Sequence, residues 1–382
     1  MKKLLTIIGA RPQIIKSAAI SRAIRTRYAD QITEVIVHTG QHYDQQMSAV
    51  FFEELQIPLP DYNLQVGSGK HGAQTAKMIT GIEEIIEREQ PDFLLIYGDT
   101  NSTLAGAIAA AKVHTPIVHV EAGLRSFNKR MPEEINRILS DHVSTYLFPP
   151  TQTGYNNLLN EGFRANTQPP HSIDNPGLFL VGDVMYDNSH YFSAIAAERS
   201  TILVQHGLNA GEYVLVTLHR NINTDDVDRL TAIFQALLTL STTHNVRLVL
   251  PLHPRTLKQL NALLAPALQA AIQSNPNLVL LPPVSFLDMT QLEQQANLVI
   301  TDSGGVQKEA FFFSKPCIIL RAETEWVEIV EGGAAILCDA DSNRILDAWS
   351  HFTRAEHHTF LPLYGDGNAA ERIVSILIAA TK

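Results

Sequence analysis

"ANLVITDSGGVQKEAFF", Ala296 to Phe312, runs from an apolar stretch through a carboxylate, a hydroxyl and two glycines into a helical pattern. "ANLVI" reads as a strand, being apolar and β-branched. Ser303 suits the N-cap position, and Gly304 and Gly305 let the backbone approach a bound group closely. The first turn of a helix leaves N–H groups without partners in the helix, and the helix dipole adds positive potential there. A strand that ends in small residues and feeds such a helix is therefore a place for a phosphate. Glu309 stands more than one turn into the helix. A carboxylate there would repel the phosphate itself, but it can accept hydrogen bonds from a ribose diol one step further along. The segment thus fits a nucleoside diphosphate better than bare phosphate.

The same strand-then-helix unit recurs on both sides of this segment. "LLTIIG" precedes a helix from about Ile14 to Thr26, "EVIVHT" one from about Asp44 to Leu55, and "DFLLIYGD" precedes "NSTLAGAIAAAKV". Further strands are "PIVHVEAG", "YVLVTLHR", "VRLVLPLH", "LVLLPPV", "KPCIILRA" and "AAILCD". This alternation predicts an α/β fold, parallel sheets with helices on both faces. The proline-bearing stretch "TQPPHSIDNPGLF" (167–179) reads as the approach to a linker, with the hinge near 170–200. We expect a first domain over 1–175 and a second over 176–365, with a final helix over 366–382 packing back on the first. Two such domains place an active site in the cleft between them, at the carboxyl ends of the strands.

Bulk composition narrows the partners. The chain has 382 residues, 45% of them hydrophobic, which is enough for two cores, and a formal charge of −10. No basic run points to nucleic acid or to a membrane surface, so an anionic substrate needs a local positive pocket. The start, "MKKLLTIIGARP", has an apolar run too short for a signal peptide and meets Arg11 and Pro12, so it reads as a first strand. No stretch approaches the roughly 20 apolar residues that span a bilayer. Cys317 and Cys338 both lie in strand-like runs and read as reduced core residues of a cytoplasmic protein, with no metal site.

Polar residues collect at strand ends. Arg11 and Lys16 follow the first strand; the lone Gly9 there is not the G-x-G-x-x-G fingerprint, so dinucleotide binding has little support. Lys16, near the expected helix start, reads as a solvated face, while Arg11 follows the strand directly and can reach a phosphate. Asp99 and Glu121 end two further strands, and Glu133 follows in "MPEEINR". These carboxylates either cap helices and decorate a first turn, or act as acid and base on either side of a substrate. His219, Arg220 and His253 end strands of the second domain, either as structural hydrogen-bonders or as site residues.

Together these segments resemble a known family over nearly the whole chain. "GARPQIIK", "TGQHYD", "YGDTNSTLAGAIAA", "HVEAGLRS" with "MPEEINR", "TLHR", "PLHPR" and "TDSGGVQKEA" with "SKP" are similar, in order and spacing, to the non-hydrolysing UDP-N-acetylglucosamine 2-epimerases. The resemblance implies the GT-B architecture, two Rossmann-like domains around a cleft, and a homodimer with no cofactor. It implies interconversion of UDP-N-acetylglucosamine and UDP-N-acetylmannosamine for polysaccharide synthesis. UDP leaves C1 as the C2 proton is removed, a glycal forms, UDP returns, and a proton is delivered to the other face of C2.

By the same resemblance, Asp99, Glu121, Glu133 and His219 are catalytic. Arg11, Lys16 and the backbone of Ser303, Gly304 and Gly305 hold the diphosphate, with Arg220 and Arg321 in the substrate-binding set. Glu309 takes the ribose hydroxyls, and Val284 to Met289 wall the uracil. A second nucleotide-sugar site is expected to survive only as Gln41, His42 and His253, because Asp44 and Ala73 replace a glutamine and an arginine.

This sequence also departs from the family's pattern. Ile222 stands where "HR-x-E-N" has glutamate, Lys308 stands where glutamate is common, and "GARPQ" and "ETEWVE" replace commoner forms. These lean towards a subgroup that includes epimerases of UDP-2,3-diacetamido-glucuronate. A GT-B glycosyltransferase is the rival from another class; it would need an acceptor and has no reason to keep three carboxylates at C2. A hydrolysing epimerase would instead release free N-acetylmannosamine, and a nucleotide-sugar sensor would leave the carboxylates without work.

Overall fold

A computed structural model describes residues 1–41, 56–354 and 358–380. It divides into one unit of Met1–Asn188 with Pro362–Lys382 and another of Ser189–Leu361. The expected helix over 44–55 lies outside the described residues, as do His42 and Asp44.

The first unit carries seven parallel strands: β1 (Lys2–Ile8), β2 (Ile32–His38), β3 (Tyr62–Asn63), β4 (Phe93–Tyr97), β5 (Ile117–Val120), β6 (Tyr146–Phe148) and β7 (Gly177–Leu178), in the order β3-β2-β1-β4-β5-β6-β7. β4, β5 and β6 are buried along their whole length, as strands covered on both faces must be. Leu5, Ile7, Leu94 and Ile96 meet Met78, Ile82, Ile85 and Ile86 of the helix His71–Glu89. They also meet the alanines of the helix Asn101–Lys112. That helix lies close to the sheet. At Gly106 an added Cβ would come 2.9 Å from Ile96 Cγ2, so small residues there set the spacing.

The second unit carries six parallel strands: β8 (Val214–Thr217), β9 (Leu248–Pro251), β10 (Leu278–Leu281), β11 (Leu298–Thr301), β12 (Cys317–Ile319) and β13 (Ala335–Leu337), in the order β10-β9-β8-β11-β12-β13. Its core sets Val214, Val216 and Ile300 against Leu230, Ile233, Phe234 and Leu237 of the helix Val227–Thr243. Cys317 and Cys338 are buried here without a bridge, and burial pushes the Cys338 thiol up to about 12.

Numbered within its own sheet, each unit begins with the order 3-2-1-4-5-6, that of doubly wound folds. The chain reverses direction between β1 and β4, and again between β8 and β11. Ligands of such folds sit beyond the carboxyl ends of the strands at that switch. The expected α/β class, with two Rossmann-like units, is what the structure has.

The chain crosses between the units within the expected 170–200, beyond residue 175. The proline-bearing stretch 167–179 is not a connection between units, because its last residues form β7, where Gly177 and Leu178 pair with Tyr146 and Leu147. The chain passes between units further on, at Asn188 and Ser189, inside the helix Val184–Arg199. The final helix, Ala369–Ala379, packs against the helix Arg11–Arg27, and Arg27 reaches Glu371 at 2.6 Å. Among the described residues no helix is long and apolar enough to cross a membrane.

Candidate active site

In the first unit, register brings the chemistry together. Tyr97 of β4 lies opposite Val120 of β5, so Gly98–Asp99 and Glu121 leave the sheet side by side. Gly98 and Glu121 both turn with positive φ, +61° and +70°. For glutamate that is a strained conformation, the kind that persists where its surroundings dictate it. Each carboxylate has its own cation. Lys16 Nζ, from the helix Arg11–Arg27, lies 2.6 Å from Glu121 Oε1, with both side chains largely buried. Arg137 Nη2, from the helix Pro132–His142, lies 2.5 Å from Asp99 Oδ2. Burial raises the Asp99 carboxyl above the ordinary range; Arg137 and Lys16 pull it down and Glu121 pushes it up.

Behind these groups lies a layer of buried polar contacts. The second guanidinium nitrogen of Arg137 donates to Glu134 Oε2 at 2.9 Å. Glu134 also accepts from the Ser126 N–H, the Ser126 hydroxyl and the Phe127 N–H. Those contacts outweigh the effect of burial and hold its carboxyl below the usual range. His119, fully buried on β5, places Nε2 2.9 Å from the Gly98 carbonyl and Nδ1 2.7 Å from Asp141 Oδ1. Asp141 in turn faces Arg125 at 2.8 Å and accepts the Gly123 N–H.

The β1 end is fixed the same way. The buried Gln13 side chain accepts from the Gly9 and Ala10 N–H groups and donates to the Tyr97 carbonyl. An added Cβ at Gly9 would fall 2.1 Å from Ser102 Oγ, so only glycine allows this packing. Arg11, exposed, opens the helix that follows.

The second unit builds a separate cluster. Thr217 of β8 lies opposite Thr301 of β11, so Leu218–Arg220 and Asp302–Gly304 emerge together. Asp302 is fully buried and accepts from the His219 and Arg220 N–H groups and from the Asn223 amide. His219 Nδ1 lies 3.3 Å from the same carboxylate. Burial lowers the imidazole, Asp302 opposes that, and Arg220 and His253 add to it. Ser303 caps the helix Gly304–Phe312. A Cβ placed on Gly304 would lie 3.7 Å from Arg321 Nη1 and 3.9 Å from Arg220 Nη2, so two guanidinium groups stand over the helix N-terminus. Glu309 reaches back towards it, with Oε2 3.9 Å from a Cβ placed on Gly305. Met289 lies in the helix Phe286–Gln295, capped by Ser285. The arrangement offers the N–H groups of a helix start and the Arg220 guanidinium to an anion, with Arg321 beside them paired to Glu325, whose Oε2 lies 3.6 Å from the Cβ placed on Gly304.

Three more expected residues have contacts of their own or none. Glu133 is exposed on the first turn of the helix Pro132–His142 and has no hydrogen bond or ion pair among the described residues. His253 accepts the Arg255 N–H as an N-cap. Gln41 is turned onto Ser102, whose N–H and hydroxyl it accepts. Conversely, the sequence reading did not select Arg137, Gln13, His119, Asp141 or Asp302. Arg137 did carry a signal, standing three and four residues after Glu134 and Glu133 on one helix face. Among the described residues no cluster of three His, Cys, Asp or Glu side chains could hold a metal ion.

Two doubly wound units, one with paired carboxylates at its strand ends and one with an anion-binding helix start, define an α/β enzyme of the GT-B class. The UDP-N-acetylglucosamine 2-epimerase family model matches residues 24–378. The UDP-2,3-diacetamido-2,3-dideoxy-D-glucuronate 2-epimerase of Pseudomonas aeruginosa is 47% identical over 98% of this chain and 99% of its own. The crystal structure of the Methanocaldococcus jannaschii UDP-GlcNAc 2-epimerase in complex with UDP-GlcNAc and UDP superposes with a TM-score of 0.83. It shares 40% identity over 98% of this chain and 99% of that one. The Neisseria meningitidis UDP-GlcNAc 2-epimerase bound to UDP-GlcNAc also gives 0.83, at 28% identity over 98% and 99%. The chain belongs to the UDP-N-acetylglucosamine 2-epimerase family and is an isomerase.

Proposed function

We propose that the chain is a non-hydrolysing 2-epimerase interconverting UDP-N-acetylglucosamine and UDP-N-acetylmannosamine. The observation that carries this reading is the carboxylate pair at adjacent strand ends, each held by its own cation: Asp99 by Arg137 and Glu121 by Lys16. The C2 proton of such a sugar is not acidic, because no carbonyl adjoins it. Breaking the C1–O bond with its electron pair leaving on UDP gives C1 cationic character. Loss of the C2 proton to one carboxylate then leaves a glycal. Re-addition of UDP at C1, with a proton delivered to the other face of C2, completes the inversion. Two proton-transfer groups at a fixed separation are what this needs, and Asp99 and Glu121 are the two we assign, with Glu133 joining them from its helix turn.

The leaving UDP needs a fixed place for its charge. We assign the diphosphate to the Ser303–Gly305 backbone, Arg11, Arg220, Arg321 and His219, the ribose to Glu309, and the uracil to Val284–Met289. Lys16, placed on Glu121, serves that carboxylate as well as the substrate. The UDP-GlcNAc named with the two epimerase structures supports the nucleotide.

A second reading of the sugar, UDP-2,3-diacetamido-glucuronate, is favoured by the 47% identical P. aeruginosa relative. Incubating the protein with each UDP-sugar in heavy water and following C2 by NMR tests both. The C2 epimer with deuterium at C2 is expected. Free sugar would replace this reading with hydrolysis, and unchanged substrate from both sugars would refute it. We also read the chain as a cytoplasmic homodimer. The unbridged buried cysteines support the compartment. Ile135 and Leu139, exposed on the helix Pro132–His142, offer an apolar stripe for the second copy. A monomer by sedimentation would end the dimer reading.

A further inference from the structure

Lys308 and "ETEWVE" (323–328) stand fifteen and more residues apart in the sequence, and the structure brings the two together. Lys308 is only 2% exposed, and its ammonium sits 4.1 Å from the centre of the Trp326 ring. A desolvated cation over an indole face is a favourable contact. The other end of the same indole is also occupied, for Trp326 Nε1–H donates to the Gly304 carbonyl at 2.9 Å. Gly304 is the first residue of the helix whose N-terminus we assign to the diphosphate.

The segment leading to Trp326 is tied to the same turn. Thr324 Oγ1 donates to the buried Gln307 at 2.6 Å and accepts the Trp326 N–H. Arg321 forms a two-point pair with Glu325, at 2.9 and 3.1 Å. Residues 321–326 therefore make a strap that contacts Gly304, Gln307 and Lys308, three residues within the first turn and a half of one helix.

We propose that Trp326 is a positioning residue for the diphosphate, acting through Gly304 and Lys308. Its indole N–H fixes the peptide that follows Gly304, and so the direction of the N–H of Gly305. Its ring seats a buried cation beneath the site. The strap holds Arg321 over the same helix start. Trp326 itself touches no phosphate; it keeps the donors aimed where the phosphates would be. This inference rests on the assignment of UDP to that helix.

The test is calorimetric titration of the full-length protein with UDP and with UMP. Trp326→Phe keeps an aromatic face for Lys308 and removes the donor to Gly304. Lys308→Met keeps the chain length and removes the charge. Losing one positioning hydrogen bond predicts about a tenfold weaker UDP affinity for Trp326→Phe. UMP, with one phosphate fewer, should weaken about twofold, and KM should rise more than kcat falls. Lys308→Met should weaken UDP in the same sense, and it carries the test alone if Trp326→Phe does not fold. If both variants melt lower but bind UDP and UMP as the parent does, the strap is packing only and the proposal is overturned. A parent protein that binds no UDP would overturn the assignment of the helix and this inference with it. That outcome is distinct because the unaltered chain already fails.

Discussion

Replacing Arg137 by methionine removes one guanidinium from two carboxylates at once, Asp99 at 2.5 Å and Glu134 at 2.9 Å. Taking one partner from a buried pair typically destabilises by about 3–5 kcal/mol. Glu134 keeps its three contacts to Ser126 and Phe127, and Asp99 is 28% exposed, so the low end, about 3 kcal/mol, is expected. The effect on titration is more specific. Burial has already raised the Asp99 carboxyl, so ionising it opposes folding above the ordinary aspartate value, and Arg137 is the largest influence pulling it back down. Unit charges about 4 Å apart interact by about 4 kcal/mol at an effective dielectric of 20. Part of this is lost to solvent at a partly exposed carboxylate, leaving about 1.5–3 kcal/mol, or about 1–2 pH units. The limb of the pH–kcat/KM profile that belongs to Asp99 should therefore move up by that amount in Arg137→Met. In the direction where Asp99 accepts the proton this is the acid limb. The assay is initial-rate epimerisation from pH 5 to 9, with thermal unfolding on the same samples. A profile that loses amplitude while neither limb moves would show that Arg137 does not tune Asp99, and the pairing would be structural alone.

Asp99→Asn, Glu121→Gln and Glu133→Gln should each lower turnover about a hundredfold or more, with nucleotide affinity largely kept. Near-normal turnover removes that residue from the mechanism, and the exposed Glu133 is the most open to that result. Glu309→Ala should weaken UDP binding by calorimetry, since the ribose diol loses its acceptor; unchanged affinity would leave Glu309 as part of its helix only. With Ala73 and Asp44 in place of an arginine and a glutamine, a second nucleotide-sugar site should shift closure little, so kinetics should be hyperbolic. A lag abolished by a trace of UDP-N-acetylglucosamine would count against this. Asp187 accepts the Ala369 and Ala370 N–H groups, and burial raises its carboxyl to about 6. A raised carboxyl favours the fold while protonated and loses that advantage as pH climbs from about 4 to about 6. Asp187→Asn should therefore gain on the parent in urea unfolding at pH 7.5 compared with pH 4.5, and a gap independent of pH would contradict this.

The fold was legible because its signals are local. A buried parallel strand is a short apolar run, a switch point is a run ending in small or charged residues, and both occur in series here. The boundary was less legible, because "PPHSIDNPG" has linker chemistry while Gly177 and Leu178 pair with residues about thirty positions earlier. Pairing at that distance leaves no mark on the short strand itself. The same holds for the site. Asp99 and Glu121 were visible as charges where apolar runs stop. The pairing of each with a cation was not, because Lys16, selected for the diphosphate, and Arg137, not selected, reach them from helices whose faces depend on packing. Glu133 and Glu134 are neighbours of one type, yet a helix turns about 100° between them, so one is exposed and the other is buried against Arg137.

The separation of Asp99 and Glu121 is governed more by backbone than by rotamers. Glu121 is held at φ +70°, a conformation that costs an L-residue about 1 kcal/mol or more, and its N–H is engaged by the Phe148 carbonyl. Gly98 turns the other strand end at φ +61°, and a Cβ there would meet Lys16 Nζ at 3.1 Å and Glu121 Oε1 at 3.4 Å. The His119 ring, on β5 two residues before Glu121, holds the Gly98 carbonyl. The two left-handed turns are thus bound to each other through β5, and the lysine pair occupies the space a side chain at residue 98 would need. An alanine at 98 would add left-handed strain and press on the Lys16–Glu121 contact together. It would disturb both the carboxylate that follows it and the one across from it, which no substitution at either carboxylate alone would do.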